Sequence, residues 1–373
     1  MKNPRPLIVT ALLVLLAVVS IWLGVWMRNR APSTQQTSSA GNSQSAAADG
    51  GKTQHNATPL DPSPSAQLDR ILGKLRAGTL APGELDAFRR ALLAADPAQA
   101  IVAIVKFLAT GQDALTSEAF ALDKGGALGG APTLRVLLLD LLGRICKTTH
   151  GSEADEVARA LLETKTSADE WAVALRNVAW AAPSDRAFLA AKSREMLHYQ
   201  PWRQQPSGGF IEAFDVIVFS RDVTFVTDLA ELVRGEDKTL QRSAGMALDR
   251  LAEMAPLDVM NFLNTNRAEL ADKPFLRADY FSKADLSQPS QRAAVEAYLS
   301  RPDVASREKG KLLAVLASPG SFAADTLLTD PPPAEDPPQR SAGLRQTVGD
   351  WLKTNRFPEL NPSLLQLQER LAQ

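Results

Sequence analysis

Twenty consecutive residues, Leu7–Trp26 (LIVTALLVLLAVVSIWLGVW), carry no charge, and beyond the backbone only Thr10 and Ser20 are polar. A helix rising ~1.5 Å per residue makes this stretch about 30 Å long, the thickness of a bilayer's hydrocarbon core. Residues 1–30 are therefore expected to form a single-pass transmembrane anchor, and whatever folds after them hangs from a membrane. A cleaved signal peptide fits less well. Its apolar region usually runs ~7–15 residues and ends in small residues, whereas this run ends in Trp22, Trp26, Met27 and Arg28. The one cysteine, Cys146, is not placed to form a lipobox. Trp22 and Trp26 lie one helical turn apart, where indoles favour the headgroup layer, and Arg28 and Arg30 follow them. Lys2, Arg5 and the amino terminus outweigh Arg28 and Arg30. That bias predicts a cytoplasmic N-terminus at the inner (plasma) membrane and an extracytoplasmic domain beyond it.

Residues 31–65 are rich in Ser, Ala and Gln and have nothing with which to bury surface, so they read as a disordered linker. A flexible coil of that length spans roughly 30–35 Å on average and reaches about 120 Å when stretched. Gly51–Lys52–Thr53 mimics the end of a phosphate-binding loop. Ala46 stands where that motif needs its first glycine, and no strand pattern precedes it.

From Ser65 onward the pattern is helix after helix. Aromatic content is 6% and Leu and Ala carry the apolar load, which favours helices over strands. Leu68, Ile71, Leu72 and Leu75 share one face behind a Ser65 cap. Pro82 opens a helix bearing Leu85, Phe88 and Leu92, and Asp96–Pro97 opens one bearing Ile101, Ile104, Val105 and Leu108. A loop covers Gly111–Ala131. Pro132 then opens the most apolar segment, TLRVLLLDLLGRIC, which should be central because it is greasy nearly all round. Further helices are expected at about 152–165, 168–182, 184–199, 210–220, 222–234, 238–254, 257–271, 290–300, 304–317 and 321–329. Asp330–Pro338 (DPPPAEDPP) reads as an extended spacer before helices at about 340–354 and 361–372.

Ala94-Ala-Asp-Pro97, Ala181-Ala-Pro183, Met254-Ala-Pro256 and Ala317-Ser-Pro319 repeat one turn form, in which a proline ends one helix and starts another. An Ala/Leu helix, a proline turn and a second Leu helix resemble degenerate HEAT-type repeats. That resemblance covers most of 66–330, with residues 331–373 forming a Pro-rich spacer and C-terminal helices. It implies an all-α fold, an irregular solenoid or superhelix of antiparallel helix pairs, and a role as a partner-binding scaffold.

The residues offer little chemistry. Histidines are limited to His55, His150 and His198, far apart, and no HExxH or CxxC is present, so no metal or other cofactor is expected. There is no GxSxG elbow. Cys146 follows Leu138 and Leu142 on an apolar face and reads as a core thiol. His150 and His198 lie near helix ends, where an imidazolium complements the dipole. Glu153, Asp155 and Glu156, and likewise Asp169 and Glu170, fill first helical turns, where acids belong. The net charge of −1 gives no field for nucleic acid.

Lys124 and Gly125–Gly130 form a glycine-rich loop before a helix, able to expose backbone N–H groups to an anion but equally able to be a plain surface loop. The segment Tyr199-Gln-Pro-Trp-Arg-Gln-Gln-Pro-Ser-Gly-Gly-Phe210 is the preferred contact site, because Trp and Arg are enriched at binding hot spots. Tyr199, Trp202, Arg203 and Phe210 are its candidate partner-binding residues. Trp202 could instead fold back to plug a seam between helices. The expectation is a non-enzymatic, membrane-tethered helical scaffold or adaptor that docks a protein or peptide at the cell envelope. The alternatives are an envelope enzyme on a helical scaffold, for example a glycan-cleaving one using paired carboxylates, and a structural spacer without a specific partner.

Overall fold

The computed structural model of the chain describes residues 63–318, 326–328 and 337–372. They belong to the unit Leu60–Gln373; the other unit, Met1–Pro59, lies outside them. Leu7–Trp26, with Trp22, Trp26, Arg28 and Arg30, and residues 31–62 of the linker are therefore outside the described residues. Among the described residues, no helix is long and apolar enough to cross a membrane.

The described unit is mostly helical, as composition and periodicity require. Three helices open it: α1 (Pro64–Ala77), α2 (Glu84–Ala94) and α3 (Pro97–Ala109). A hairpin of β1 (Ala121–Leu122) and β2 (Leu128–Gly130) follows. Next come α4 (Leu134–Thr149), α5 (Glu153–Leu161), α6 (Ala168–Ala181) and α7 (Arg186–His198). Two single-turn pieces, α8 (Gln200–Gln204) and α9 (Gly208–Glu212), lead to α10 (Phe214–Ser220), α11 (Phe225–Arg234) and α12 (Lys238–Met254). The chain continues through α13 (Pro256–Thr265), α14 (Pro274–Phe281), α15 (Pro289–Leu299) and α16 (Ser306–Val315), and ends in α17 (Pro337–Lys353) and α18 (Asn361–Ala372).

Local chemistry sets many of these starts. The Ser63 hydroxyl accepts from the Ala66 N–H, and the Asp96 carboxylate from the Gln99 N–H. Thr133, Ser167 and Asp237 cap α4, α6 and α12 in the same way. Each cap satisfies a donor the helix leaves orphaned and contributes ~1 kcal/mol. Pro64, Pro97, Pro256, Pro274 and Pro289 occupy first-turn positions, where a missing N–H costs nothing.

The core is continuous from α1 to α18. At its middle lies α4, where Leu134, Val136, Leu137, Leu138, Leu139, Leu141 and Leu142 are all fully enclosed. Burial on every side explains the all-round greasiness of this segment, at about 2 kcal/mol of burial per leucine. Helices pack chiefly on their next neighbour or next-but-one neighbour in the chain. Examples are α1 on α3, α3 on α4, α4 on α6, α5 on α6, α10 on α12, α13 on α15, α14 on α16, and α17 on α18.

Several expectations shift. The first cap is Ser63 rather than Ser65, and Gly83 rather than Pro82 precedes α2. Pro183 does not open α7, which starts after Asp185. The break at Tyr199–Gly209 contains the short turns α8 and α9. The loop 111–131 contains the hairpin, which pairs Ala121 with Gly130 and Leu122 with Leu128 across a bulge. The helix α14 was not expected, and α13 ends at Thr265 rather than near 271. In the expected helix 321–329, residues 326–328 are not helical; residues 319–325 and 329–336 lie outside the described set.

Candidate functional site

Two features are built by contacts between residues distant in sequence: the aromatic shoulder at 199–210 and a buried polar clamp beneath the hairpin.

The shoulder is positioned by Asp169, in the first turn of α6. Its Oδ1 accepts from the Ser207 hydroxyl at 2.6 Å and from the Gly209 N–H at 2.7 Å, and Ser207 Oγ in turn accepts from the Phe210 N–H at 3.2 Å. Gly209 is required there. A Cβ on it would stand 2.5 Å from Asp169 Oδ1 and 2.6 Å from its Cα. With the loop fixed, Trp202 sits edge-on to the buried Trp171 at 5.3 Å and to Tyr199 at 4.8 Å between ring centroids. T-shaped pairs of this kind add about 0.5–1.5 kcal/mol beyond burial. Trp202 and Tyr199 remain partly exposed. Arg203 Nη2 reaches Glu231 on α11 at 2.8 Å, and Lys165 stands 5.6 Å over the Tyr199 ring. Phe210 is fully buried against Phe214, with 5.7 Å between ring centroids. The structure thus brings Tyr199, Trp202 and Arg203 together at the surface and places the Phe210 side chain in the core beneath them.

The second feature is a buried polar clamp under the hairpin. Arg176 on α6 donates through Nη1 to Asp140 Oδ1 on α4 at 2.7 Å and to the Gly126 carbonyl in the hairpin loop at 2.7 Å. Its Nη2 reaches Asn177 Oδ1 at 3.0 Å, and Asn177 Nδ2 donates to the Leu139 carbonyl at 2.9 Å. Burial pulls the Arg176 pKa down and the Asp140 carboxylate opposes this. A guanidinium stays charged under such a pull, so the pair locks the hairpin onto α4 and α6. Against Gly126 lies the carbonyl of Leu327, and the Leu328 N–H donates to Asp215 Oδ2 on α10 at 2.9 Å. Asp215 also pairs with Arg250 on α12. Neighbouring Glu212 has its pKa pushed up, by burial first and then by the charge of Asp215.

A separate cavity of ≈ 520 Å³ between α4, α5 and α6 is lined by Cys146, Lys147, His150, Asp155, Asn177 and Trp180. Lys147 and Arg176 both stand over the Trp180 ring, at 4.2 and 4.1 Å from its centroid. Burial and the charge of Arg176 pull the Lys147 pKa down. The Cys146 thiol is buried, and burial raises its pKa, which disfavours the nucleophilic thiolate. His150 is the left-handed C-cap of α4, with φ 56°. His198 pairs with Asp228 at 3.0 Å on the surface. Glu153, Asp155 and Glu156 do occupy the first turn of α5. Glu170 is held by Arg135 Nε at 2.8 Å, and the same Arg135 donates to the Leu108 carbonyl at 2.8 Å, tying α3, α4 and α6 together. Among the described residues, no group of three or more His, Cys, Asp or Glu side chains is placed to hold a metal ion.

Comparison with protein-family models, curated proteins and solved structures finds no match to this chain. Sequence reading picked out Trp202 and Arg203 by residue type. It gave no sign of Asp169 as the shoulder's anchor or of the Arg176–Asp140 clamp, because both contacts join residues more than thirty positions apart.

Proposed function

We propose that this chain is a membrane-tethered helical scaffold that docks a protein partner through the surface formed by Tyr199, Trp202 and Arg203. The observation that carries this reading is a partly exposed Trp–Tyr pair, backed by buried Trp171 and fixed by the Asp169 anchor, with an arginine beside it. Aromatic and arginine side chains that are rigid before binding lose little entropy on docking, which is the physical profile of a hot spot. Packing of helices chiefly on their next or next-but-one neighbour supports an irregular HEAT-like solenoid. Such arrays offer extended surfaces for partners. The uncharged Leu7–Trp26 stretch supports a single-pass inner-membrane anchor with the helical unit on the extracytoplasmic side. A tether confines the surface near a membrane partner and raises its effective concentration.

Crosslinked pull-down of the full chain from its membrane tests the reading. Arg203→Glu changes a partly exposed side chain and leaves Trp202 in place, so the fold should persist by circular dichroism. Loss of a reproducible partner on Arg203→Glu and on Trp202→Ala is the expected result. An unchanged set of captured proteins removes this surface from the account.

A further inference from the structure

The cavity of ≈ 520 Å³ between α4, α5 and α6 has the volume of a small-molecule site, and its wall leaves donors unmet. Among the described residues, no carboxylate pairs with Lys147; burial and the charge of Arg176 both work against its ammonium, and no acid offsets them. Asp140, the carboxylate that holds Arg176 at 2.7 Å, is shared with Arg144 at 3.7 Å. Among the described residues, the buried indole N–H of Trp180 has no acceptor. The carboxylate and the amide of the same wall are already engaged. Asp155 is held by Arg159 Nε at 3.0 and 2.9 Å, and Asn177 Oδ1 by Arg176 Nη2 at 3.0 Å. Glu153, whose Oε2 lies 3.8 Å from the Cys146 sulphur, forms no part of the wall. A cavity with unmet donors and one unmatched cation suits a ligand that brings acceptors and a single negative charge.

The shape of the wall narrows the choice further. Trp180 supplies a flat apolar surface, with the small side chains of Ala154 and Ala181 also lining the space. Lys147 Nζ stands 4.2 Å from the centre of that ring and the Arg176 guanidinium 4.1 Å from it. Arg176 is fixed by Asp140, Asn177 and the Gly126 carbonyl. Lys147 is exposed and sits on a flexible four-carbon stem, and a cation–π contact at an exposed site is a weak hold. Its ammonium can therefore leave the indole for a carboxylate, and the ring face it vacates can take an aromatic group.

We propose that this cavity binds a small aromatic monocarboxylate, with its carboxylate on Lys147 and its ring against Trp180. The site is separate from the Tyr199–Trp202–Arg203 surface, and neither depends on the other.

The test is ligand-observed fluorine NMR on the full chain in a neutral detergent. The probes are para-fluorobenzoate and para-fluorobenzamide, which share a ring and differ in charge, with inorganic phosphate as competitor. The benzoate should bind saturably and at least about tenfold more tightly than the benzamide, because its bond to Lys147 is charge-assisted. Phosphate at equal concentration should not displace it, since phosphate has nothing to lay against the indole. Lys147→Met keeps the apolar stem and removes the charge, so the two probes should become equal while circular dichroism and Tm stay unchanged. Ala181→Trp fills the space from an exposed position and should abolish binding of both. The comparison of the two probes needs no altered protein, so it stands even if the tryptophan variant misfolds. No saturable binding of the benzoate, equal affinity for the two probes, displacement by phosphate, or a preference that survives Lys147→Met overturns the proposal.

Discussion

Glu308 is a single carboxylate that holds together two neighbouring members of the helical array, and its removal should show how stability is distributed. It lies on α16 and accepts from Arg277 on α14, from Nε at 2.7 Å and from Nη2 at 3.0 Å, and also from the Tyr298 hydroxyl on α15. The side chains of Arg277 and Glu308 are 3% and 4% exposed, so water does little for either. Burial alone would pull the Arg277 pKa down; the hydrogen bonds and charge of Glu308 outweigh it and hold the value above the ordinary one. The Tyr298 hydroxyl is pushed well above its usual range by burial and then by Glu308. Glu308→Ala leaves a buried arginine that keeps, among the described residues, the Arg267 carbonyl at 3.1 Å as its hydrogen-bond acceptor. Breaking one side of a buried pair costs about 3–5 kcal/mol. Orphaning the tyrosine hydroxyl adds ~1–3 kcal/mol that overlaps with the first cost, because both reflect one emptied site. A loss of about 4 kcal/mol is expected, roughly a 10 °C fall in Tm for a unit of this size.

Urea unfolding followed by hydrogen exchange is the assay. Amides in α14–α16 should lose protection at lower urea than those in α4 and α6, since packing chiefly among near neighbours in the chain spreads damage poorly. Arg277→Met with Glu308→Leu should recover most of the loss, because no buried charge is then left alone. A cost below about 1 kcal/mol for Glu308→Ala would refute the reasoning from buried charge. Protection lost simultaneously from α4 to α18 would refute a stability spread chiefly through near neighbours.

Other perturbations have definite outcomes. Gly209→Ala forces a methyl onto Asp169 and should cost about 2 kcal/mol in urea melts, with Trp202 fluorescence shifting as the shoulder loosens. Glu212 has a raised pKa in the fold, so its contribution to stability is full below the ordinary glutamate value and declines as pH rises through the raised one. Glu212→Gln should therefore raise Tm at pH 7 and leave it unchanged near about pH 4, where both side chains are neutral. Cys146 should resist alkylation at neutral pH until urea unfolds the chain, as expected of a buried thiol with a raised pKa.

Local and periodic signals were legible in the sequence, and contacts between distant residues were not. Asp96–Pro97 announces α3 because cap and first-turn proline act within four residues. The leucine-rich stretch 134–142 announces a central helix because its apolar side chains point to every side and each has to be buried somewhere. Pro183 misled because proline is permitted at a helix start but does not compel one; Asp185 takes that place. The helix α14 has the sequence PFLRADYF, in which Arg277 is buried by virtue of Glu308, a partner no periodicity reveals. Leu327 and Leu328 fit a helical pattern locally, yet they are held by Asp215 and Gly126 from other parts of the chain. Trp202 could be singled out by type, but sequence left open whether it faces a partner or plugs a seam. The structure packs Trp202 edge-on against Trp171 at the rim of the core and leaves it partly exposed.

A photo-crosslinking amino acid at Gln204 in living cells reads out whether the Tyr199–Trp202–Arg203 surface meets a protein partner. Gln204 is exposed beside Arg203, and exposed Lys106 on α3 serves as the comparison position. One discrete adduct is expected from Gln204, lost on Arg203→Glu and absent from Lys106. The same adducts from both positions, or none from Gln204, would contradict it.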